Sequence, residues 1–282
     1  MNFPGQLKHE AARPLDASVK GHIGVLGAKG GVGSTTIAVN LAFTLSKMAH
    51  SDERVTLIDC NLQQPDAALM LACQPVHSIV ELFSRAAHLD EITAEACCLP
   101  LSFSNNMRLL TPPLDGSAAA PYSLSDISLC LKAVSEFSNT NVLDLPNKLD
   151  RHLVTLLDLC QLIVLVIEPN MTSIAAGKRW LKIFAELGYH SEDLLIVVNR
   201  TGGSLKFVEN QVNNSFPGVQ LSKVPSLYTL TETCAIEGLP VTLKAPKHAY
   251  SRALQAVASQ AEERMMLARS RSIEISALST VN

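Results

Sequence analysis

The sequence predicts a doubly wound α/β fold, a mostly parallel sheet flanked by helices. Three observations predict it. Short apolar runs alternate along the chain with segments of helical periodicity, as in a sheet whose strands are joined by helices. Several runs are apolar without a break, Leu162–Ile167 most clearly, and so lack the in–out alternation of a strand with one wet face. A glycine-rich turn ends the first run and opens the first helix, giving the order strand, loop, helix.

The elements follow in order. Residues 1–20 read as a flexible leader, because Pro4, Gly5 and Pro14 interrupt any periodicity. From His22 the pattern changes. Residues 23–26 are a short apolar run and 28–33 the glycine-rich turn. Residues 35–48 read as a helix, with Ile37, Leu41, Leu45 and Met48 at helical spacing. Residues 55–59 are a second strand and end in an acid. Residues 66–72 and 78–87 read as helices, and 90–106 carry no decisive pattern. Residues 107–110 are a short strand stopped by Pro112 and Pro113; a loop with Gly116 and a run of alanines leads to a helix near 123–137. Residues 141–144 form another strand ending in an acid, followed by a helix over 149–158. After the buried strand comes a helix over 171–187, with Ile174, Leu181 and Phe184 on one stripe and Gly188 as its C-cap. Residues 194–198 are the next strand, 204–214 a helix, 219–224 a last short strand and 228–237 a helix. A long helix begins near Tyr250, with Leu254, Val257, Ala261 and Met265 on one face, which reads as a core contact. One domain is expected over 21–268, with 269–282 a disordered tail.

Composition supports a sizeable core: of 282 residues, 47% are hydrophobic and 17% charged. The net charge of -3 supplies no broad basic field and argues against tight nonspecific nucleic-acid binding. No run of about 20 apolar residues could span a bilayer, and the first residues lack a secretory apolar core. The seven cysteines form no C-x-x-C pair and read as free thiols of a reducing cytosol. The eight histidines show no zinc-ligand spacing.

The chemistry concentrates in the turn Ala28-Lys29-Gly30-Gly31-Val32-Gly33-Ser34-Thr35-Thr36. Glycines let backbone N–H groups turn inward and approach phosphate oxygens. The helix start adds unpaired N–H groups and a positive dipole end. Thr35 is placed to offer a hydroxyl to Mg²⁺. The common phosphate loop is G-x-x-x-x-G-K-[ST]. Here Ala28 stands for its first glycine and Ser34 for its lysine. That lysine donates to the β- and γ-phosphates, and a charge-assisted bond of this kind contributes about 1.5–3 kcal/mol. Binding should weaken by one or two orders of magnitude without vanishing. Asp59 and Asp144 close two strands, at the edge where doubly wound sheets bind ligands.

The string K-G-G-V-G-x-T-T resembles the deviant Walker A loop of the ParA/MinD family of P-loop NTPases. The resemblance covers residues 21–262. It implies ATP or ADP with Mg²⁺ as ligands, bound along residues Ala28 to Thr36, and a homodimer. Lys29 matches the signature lysine, which in relatives reaches the nucleotide of the opposite subunit. Asp59 matches the first acid of a D-x-D motif. Asn61 replaces the second, which in relatives positions the attacking water; asparagine can hold a water but cannot take its proton. Asp144 matches the Walker B acid, so Thr35, Asp59 and Asp144 would form the metal shell. Lys29, Asp59 and Asn61 make a degenerate catalytic set. Asn199 matches a position that reads the adenine edge, with Arg200 beside it, and Pro225 lies where relatives wrap the base.

Three stretches resemble the TadZ/CpaE pilus-assembly branch: Val142 to Pro146, Leu165 to Asn170 running into a helix with Lys178 and Arg179, and Val224-Pro225 with Thr231 and the turn at Ala235 to Gly238. Many members of that branch carry a receiver-like domain ahead of the P-loop domain, and only 20 residues precede the domain here. The branch implies a cytoplasmic localisation factor at the cell pole or inner-membrane face. It would recruit pilus or secretion assembly proteins, and the substitutions at Ser34 and Asn61 imply weak or absent hydrolysis. With the net charge of -3 and no apolar span, no sequence-specific nucleic acid and at most peripheral membrane contact are expected. Two alternatives stay open: a MinD-like cycling ATPase at the membrane and a ParA-like DNA-partitioning ATPase. For the second, Arg252, Arg264, Arg269 and Arg271 would have to form a basic strip, although they read better as a solvated helix face.

Overall fold

The computed structural model describes residues 21–115, 123–203 and 206–279. The predicted leader and the Gly116–alanine loop lie outside these residues. Strands and helices alternate through the chain: β1 (Gly21–Gly27), α1 (Ser34–Met48), β2 (Val55–Asp59), α2 (Asp66–Met70), α3 (Ile79–Ser84), α4 (Glu91–Cys97), β3 (Leu99–Pro100), β4 (Met107–Leu110), α5 (Leu124–Phe137) and β5 (Thr140–Leu145). There follow α6 (Arg151–Leu159), β6 (Leu162–Ile167), α7 (Met171–Glu186), β7 (Leu194–Thr201), α8 (Lys206–Ser215), β8 (Gln220–Pro225), α9 (Tyr228–Glu237), α10 (Val241–Lys244) and α11 (Ala249–Ser279).

The strands form one sheet in the order β3-β4-β2-β5-β1-β6-β7-β8. All neighbours are parallel except β3 and β4. Side chains alternate between two cores because strand periodicity is two. In β6, Ile163, Leu165 and Ile167 pack on the face covered by α3 to α8, while Leu162, Val164 and Val166 pack on the face covered by α1 and α11. Every residue of β6 is buried, as its unbroken apolar run requires.

Local signals explain the helix starts. Ser123 and Asp126 form a capping box at α5, Asp150 caps α6 and Asn170 caps α7, each side chain accepting from a backbone N–H. Gly188 follows α7 with φ of +81°, donating to the Ala185 carbonyl at 3.1 Å. The indecisive stretch 90–106 holds α4 and β3, and α10 is a further short helix; elements of two to seven residues are too brief for periodicity to register. On α11, Leu254, Val257 and Ala261 are fully buried, so its apolar stripe is a core contact. Its backbone stays helical through Ser279, past residue 269 where the tail is expected. Among the described residues no helix is long and apolar enough to cross a membrane.

The last parallel pair contains the irregularity that matters for the site. Val198 pairs with Lys223 and Thr201 with Pro225, so Asn199 and Arg200 together face Val224 alone. This is a β-bulge, which re-aims side chains at the end of a strand.

Candidate nucleotide-binding site

The loop between β1 and α1 turns over the carboxyl end of the sheet. Gly31 and Gly33 adopt φ of +80° and +87°, a region open to glycine and costly for other residues. The turn closes tightly over Gly27: a Cβ there would lie 3.1 Å from the Lys29 carbonyl oxygen and 3.1 Å from Ser34 Oγ.

Three loop carbonyls are held from outside by side chains distant in sequence. Trp180 Nε1 donates to the Ala28 carbonyl at 3.2 Å, Arg200 Nη1 to the Gly31 carbonyl at 3.0 Å and Asn199 Nδ2 to the Val32 carbonyl at 2.9 Å. In a trans peptide the C=O and the next N–H point in opposite directions. Pinning these carbonyls therefore turns the N–H groups of Lys29, Val32 and Gly33 away from the clamping side chains. A loop whose amides face one way is an anion nest, and α1 begins at Ser34 with its N-terminal amides beside it.

Asp59 and Asp144 sit on neighbouring strands, in register with each other, on the side of the loop facing β2 and β5. Both are buried. Asp59 accepts from the Asn61 and Ala67 amides at 2.9 and 3.1 Å. Asp144 accepts from the Thr35 hydroxyl. Burial pushes both carboxyls above the usual range, and for Asp144 the adjacent Asp59 pushes further. Among the described residues no Lys or Arg pairs with either acid. Two buried carboxylates beside a hydroxyl, with no cation of their own, are the donor set of a hard divalent ion. Mg²⁺ takes one or two protein carboxylates and completes its shell with water and phosphate, so Thr35, Asp59 and Asp144 fit it.

The other predicted residues are placed as follows. Asn61 lies just beyond Asp59, its Oδ1 accepting from the Gln64 amide at 3.3 Å. Ser34 starts α1, and Thr36 contacts Met70 Sδ at 3.9 Å. Lys29 Nζ reaches Thr172 Oγ1 of its own chain at 3.4 Å. Asn199 has its amide committed to the loop and to the Arg200 N–H, 3.0 Å from Oδ1. Pro225 ends β8 beside the bulge. Sequence reasoning missed Gly27, Trp180, Glu168 and Asn147. Asn147 approaches Gly30, whose Cβ position lies 3.7 Å from its Nδ2. The chain's single tryptophan on a predicted helix face was the available signal for Trp180.

A cavity of about 290 Å³ adjoins the site through Cys60 and Asn61 and lies between α3, α5 and α6, lined also by Phe83, Cys130 and Pro146. Burial pushes the Cys60 and Cys130 thiols up, Cys130 to about 12, which disfavours the thiolate at both. All seven cysteines are free thiols.

The glycine loop on a helix start, with two strand-end acids beside it, defines a P-loop nucleotide-binding fold. A ParA family model, described as NUBPL iron-transfer P-loop NTPase, matches residues 18–100. The septum site-determining protein MinD of Thermotoga maritima is 23% identical over 178 residues, 62% of this chain, and the chain spans 62% of that relative's length. A ParA family ATPase from Chlorobium tepidum superposes with a TM-score of 0.77 at 21% identity, covering 85% of this chain and 98% of that one. MinD from Pyrococcus horikoshii, complexed with Mg-ADP, superposes with a TM-score of 0.71 at 17% identity over 88% of this chain and 98% of that one. The chain has the fold of ParA/MinD-type P-loop proteins.

Proposed function

We propose that this chain is a nucleotide-binding, dimer-forming scaffold that localises a Tad/Flp-type pilus or secretion machine, with little or no ATP hydrolysis. One observation carries the reading. The groups that shape the cradle are intact, namely the three pinned carbonyls, Thr35, Asp59 and Asp144, while the two departures, Ser34 and Asn61, fall on groups that act in phosphoryl transfer. Removing one preorganised transition-state donor lowers a rate roughly 100- to 1000-fold, and here a second group is altered as well. The pilus assignment rests on the strand-end stretches Val142 to Pro146 and Leu165 to Asn170. ATP or ADP would be held by the amides of residues 29–35, with Mg²⁺ neutralising phosphate charge beside Thr35 and Asp144; the Ala28 amide is not among them, because it donates to the Val166 carbonyl at 2.9 Å.

The test is a pair of measurements on the purified chain. Mg·ATP at about 100 times its Kd should stabilise the fold by roughly 2.7 kcal/mol, seen as a raised melting temperature. Steady-state turnover should be near background. Brisk turnover abolished by Asp144→Ala overturns the scaffold reading, and no thermal shift at millimolar Mg·ATP or Mg·ADP overturns nucleotide binding.

The MinD-like alternative draws on the exposed Met266 and Leu267 of α11; ATP-dependent sedimentation with anionic liposomes would favour it. The DNA-partitioning alternative loses a member of its basic strip. The Arg264 guanidinium is committed to the carbonyls of Ser191, Glu192 and Leu194, at 3.2, 2.8 and 2.8 Å.

A further inference from the structure

We propose that Asn199 and Arg200, raised by the bulge in β7, are a clasp that holds the phosphate loop in its anion-receiving form, with Arg200 as a positioning residue. The inference rests on the nucleotide reading above and adds the device that makes binding workable without the loop lysine.

With Ser34 in the lysine position, affinity falls to the backbone amides. Those amides sit in a segment containing Gly30, Gly31 and Gly33, and glycine loses more conformational freedom on ordering than any other residue. A loop of this composition must be ordered before the ligand arrives, or binding bears that entropy. The clasp supplies the order. Asn199 and Arg200 take the carbonyls of consecutive residues, Val32 and Gly31, and Asn199 Oδ1 in turn accepts from the Arg200 amide.

Arg200 is one of two non-glycine residues with positive φ among the described residues, at +60°. Such a conformation is costly and persists where the surroundings impose it. Here it lets one guanidinium reach both the Gly31 carbonyl and the Glu168 carboxylate. Glu168 continues the chain of bonds: its other oxygen accepts from Asn170 Nδ2 at 2.9 Å, Asn170 Oδ1 accepts from the Thr172 hydroxyl at 2.9 Å, and Thr172 accepts from Lys29. The belt thus leaves the loop at Gly31 and returns to it at Lys29. As an ordinary surface ion pair, Arg200–Glu168 would contribute little to stability, because the arginine side chain is 44% exposed.

That contrast gives the test. Arg200→Gly removes the clasp and also relieves the left-handed backbone. The nucleotide-free melting temperature should stay level or rise, while the calorimetric Kd for Mg·ADP and Mg·ATP weakens at least tenfold. Amide exchange across residues 30–33 of the nucleotide-free chain should speed up at least tenfold, with the rest of the sheet unchanged. Arg200→Lys keeps one donor without the planar fork and should fall between parent and Arg200→Gly. Nucleotide affinity within twofold of the parent, unchanged exchange at 30–33, or a large loss of melting temperature in Arg200→Gly each overturns the clasp. A parent chain that binds neither nucleotide overturns the nucleotide reading, and the exchange measurement then decides the clasp by itself.

Discussion

Replacing Gly33 by alanine should strike the loop at its most constrained point. Gly33 has φ of +87°, and an added Cβ would lie 2.7 Å from Asn199 Nδ2. Two costs follow. The left-handed backbone costs a non-glycine residue about 1–2 kcal/mol. The Cβ also displaces the Asn199 amide from the buried Val32 carbonyl, and an abandoned buried acceptor costs about 1–3 kcal/mol. A central value of about 3 kcal/mol, at roughly 2–4 °C per kcal/mol for a domain of this size, lowers Tm by about 10 °C. Gly31→Ala is the internal control. Its φ is +80°, but nothing lies within 4 Å of its Cβ position, so only the backbone cost applies. Its Tm should fall by roughly 3–6 °C. Asn199→Ala in the Gly33→Ala background removes the clash, so the double variant should be less destabilised than the sum of the singles by about 1–2 kcal/mol. Thermal melts of the parent and the four variants without ligand decide the matter. Gly33→Ala no worse than Gly31→Ala, or strict additivity in the double variant, refutes the contact between loop and bulge.

Three further outcomes are expected. Asp144→Asn relieves repulsion between buried carboxylates while its Oδ1 can still accept from Thr35; the metal-free melting temperature should rise, and Mg²⁺-dependent stabilisation by ATP should disappear in the same assay. Ser34→Lys restores the missing donor and should tighten the Mg·ATP Kd by about ten- to hundredfold in calorimetry, with turnover staying low until Asn61→Asp is added. His22 is fully buried, and burial lowers its pKa to about 4; the unfolded chain therefore binds a proton near pH 6.5 that the native chain refuses. Stability is lost as pH falls through that window, by about 2.5 kcal/mol between pH 7.5 and 4.5 from this group. Urea midpoints at the two pH values should differ less in His22→Gln, and an unchanged difference contradicts the assignment.

What the sequence disclosed and what it withheld divide along a physical line. The glycine turn, the strand-end acids and the buried strands were legible because each signal is local: a run of β-branched residues, a glycine triplet, an acid where a run stops. The sheet then places Asp59 beside Asp144 by strand pairing alone. The clamps were not legible. Trp180 acts on Ala28 across 152 residues, and Asn199 on Val32 across 167. The bulge that aims Asn199 and Arg200 is a register slip between two strands, which neither strand announces by itself. Asn199 resembles a base-reading residue of relatives, and its amide also bonds the Val32 carbonyl across the loop, a contact its local sequence does not announce. Arg264 read as part of a solvated face, yet its long side chain folds back onto backbone carbonyls beside β7, a use that side-chain chemistry permits and helical spacing does not predict.

The distribution of intact and altered groups bears on function more directly than any one of them. A cradle must have the right shape and present N–H groups; a hydrolase must in addition place a cation and a base where charge moves during reaction. Trp180, Asn199, Arg200 and the glycines serve the first requirement and stand at some cost, since Arg200 is held in a left-handed conformation and two acids are buried side by side with no Lys or Arg paired to them among the described residues. On the proposed reading, Ser34 and Asn61 leave the second requirement unmet at little cost to the fold, because each sits at a segment end. On the scaffold reading proposed above, strain maintained for binding beside chemistry left incomplete for turnover would suit a protein that holds its nucleotide rather than spending it.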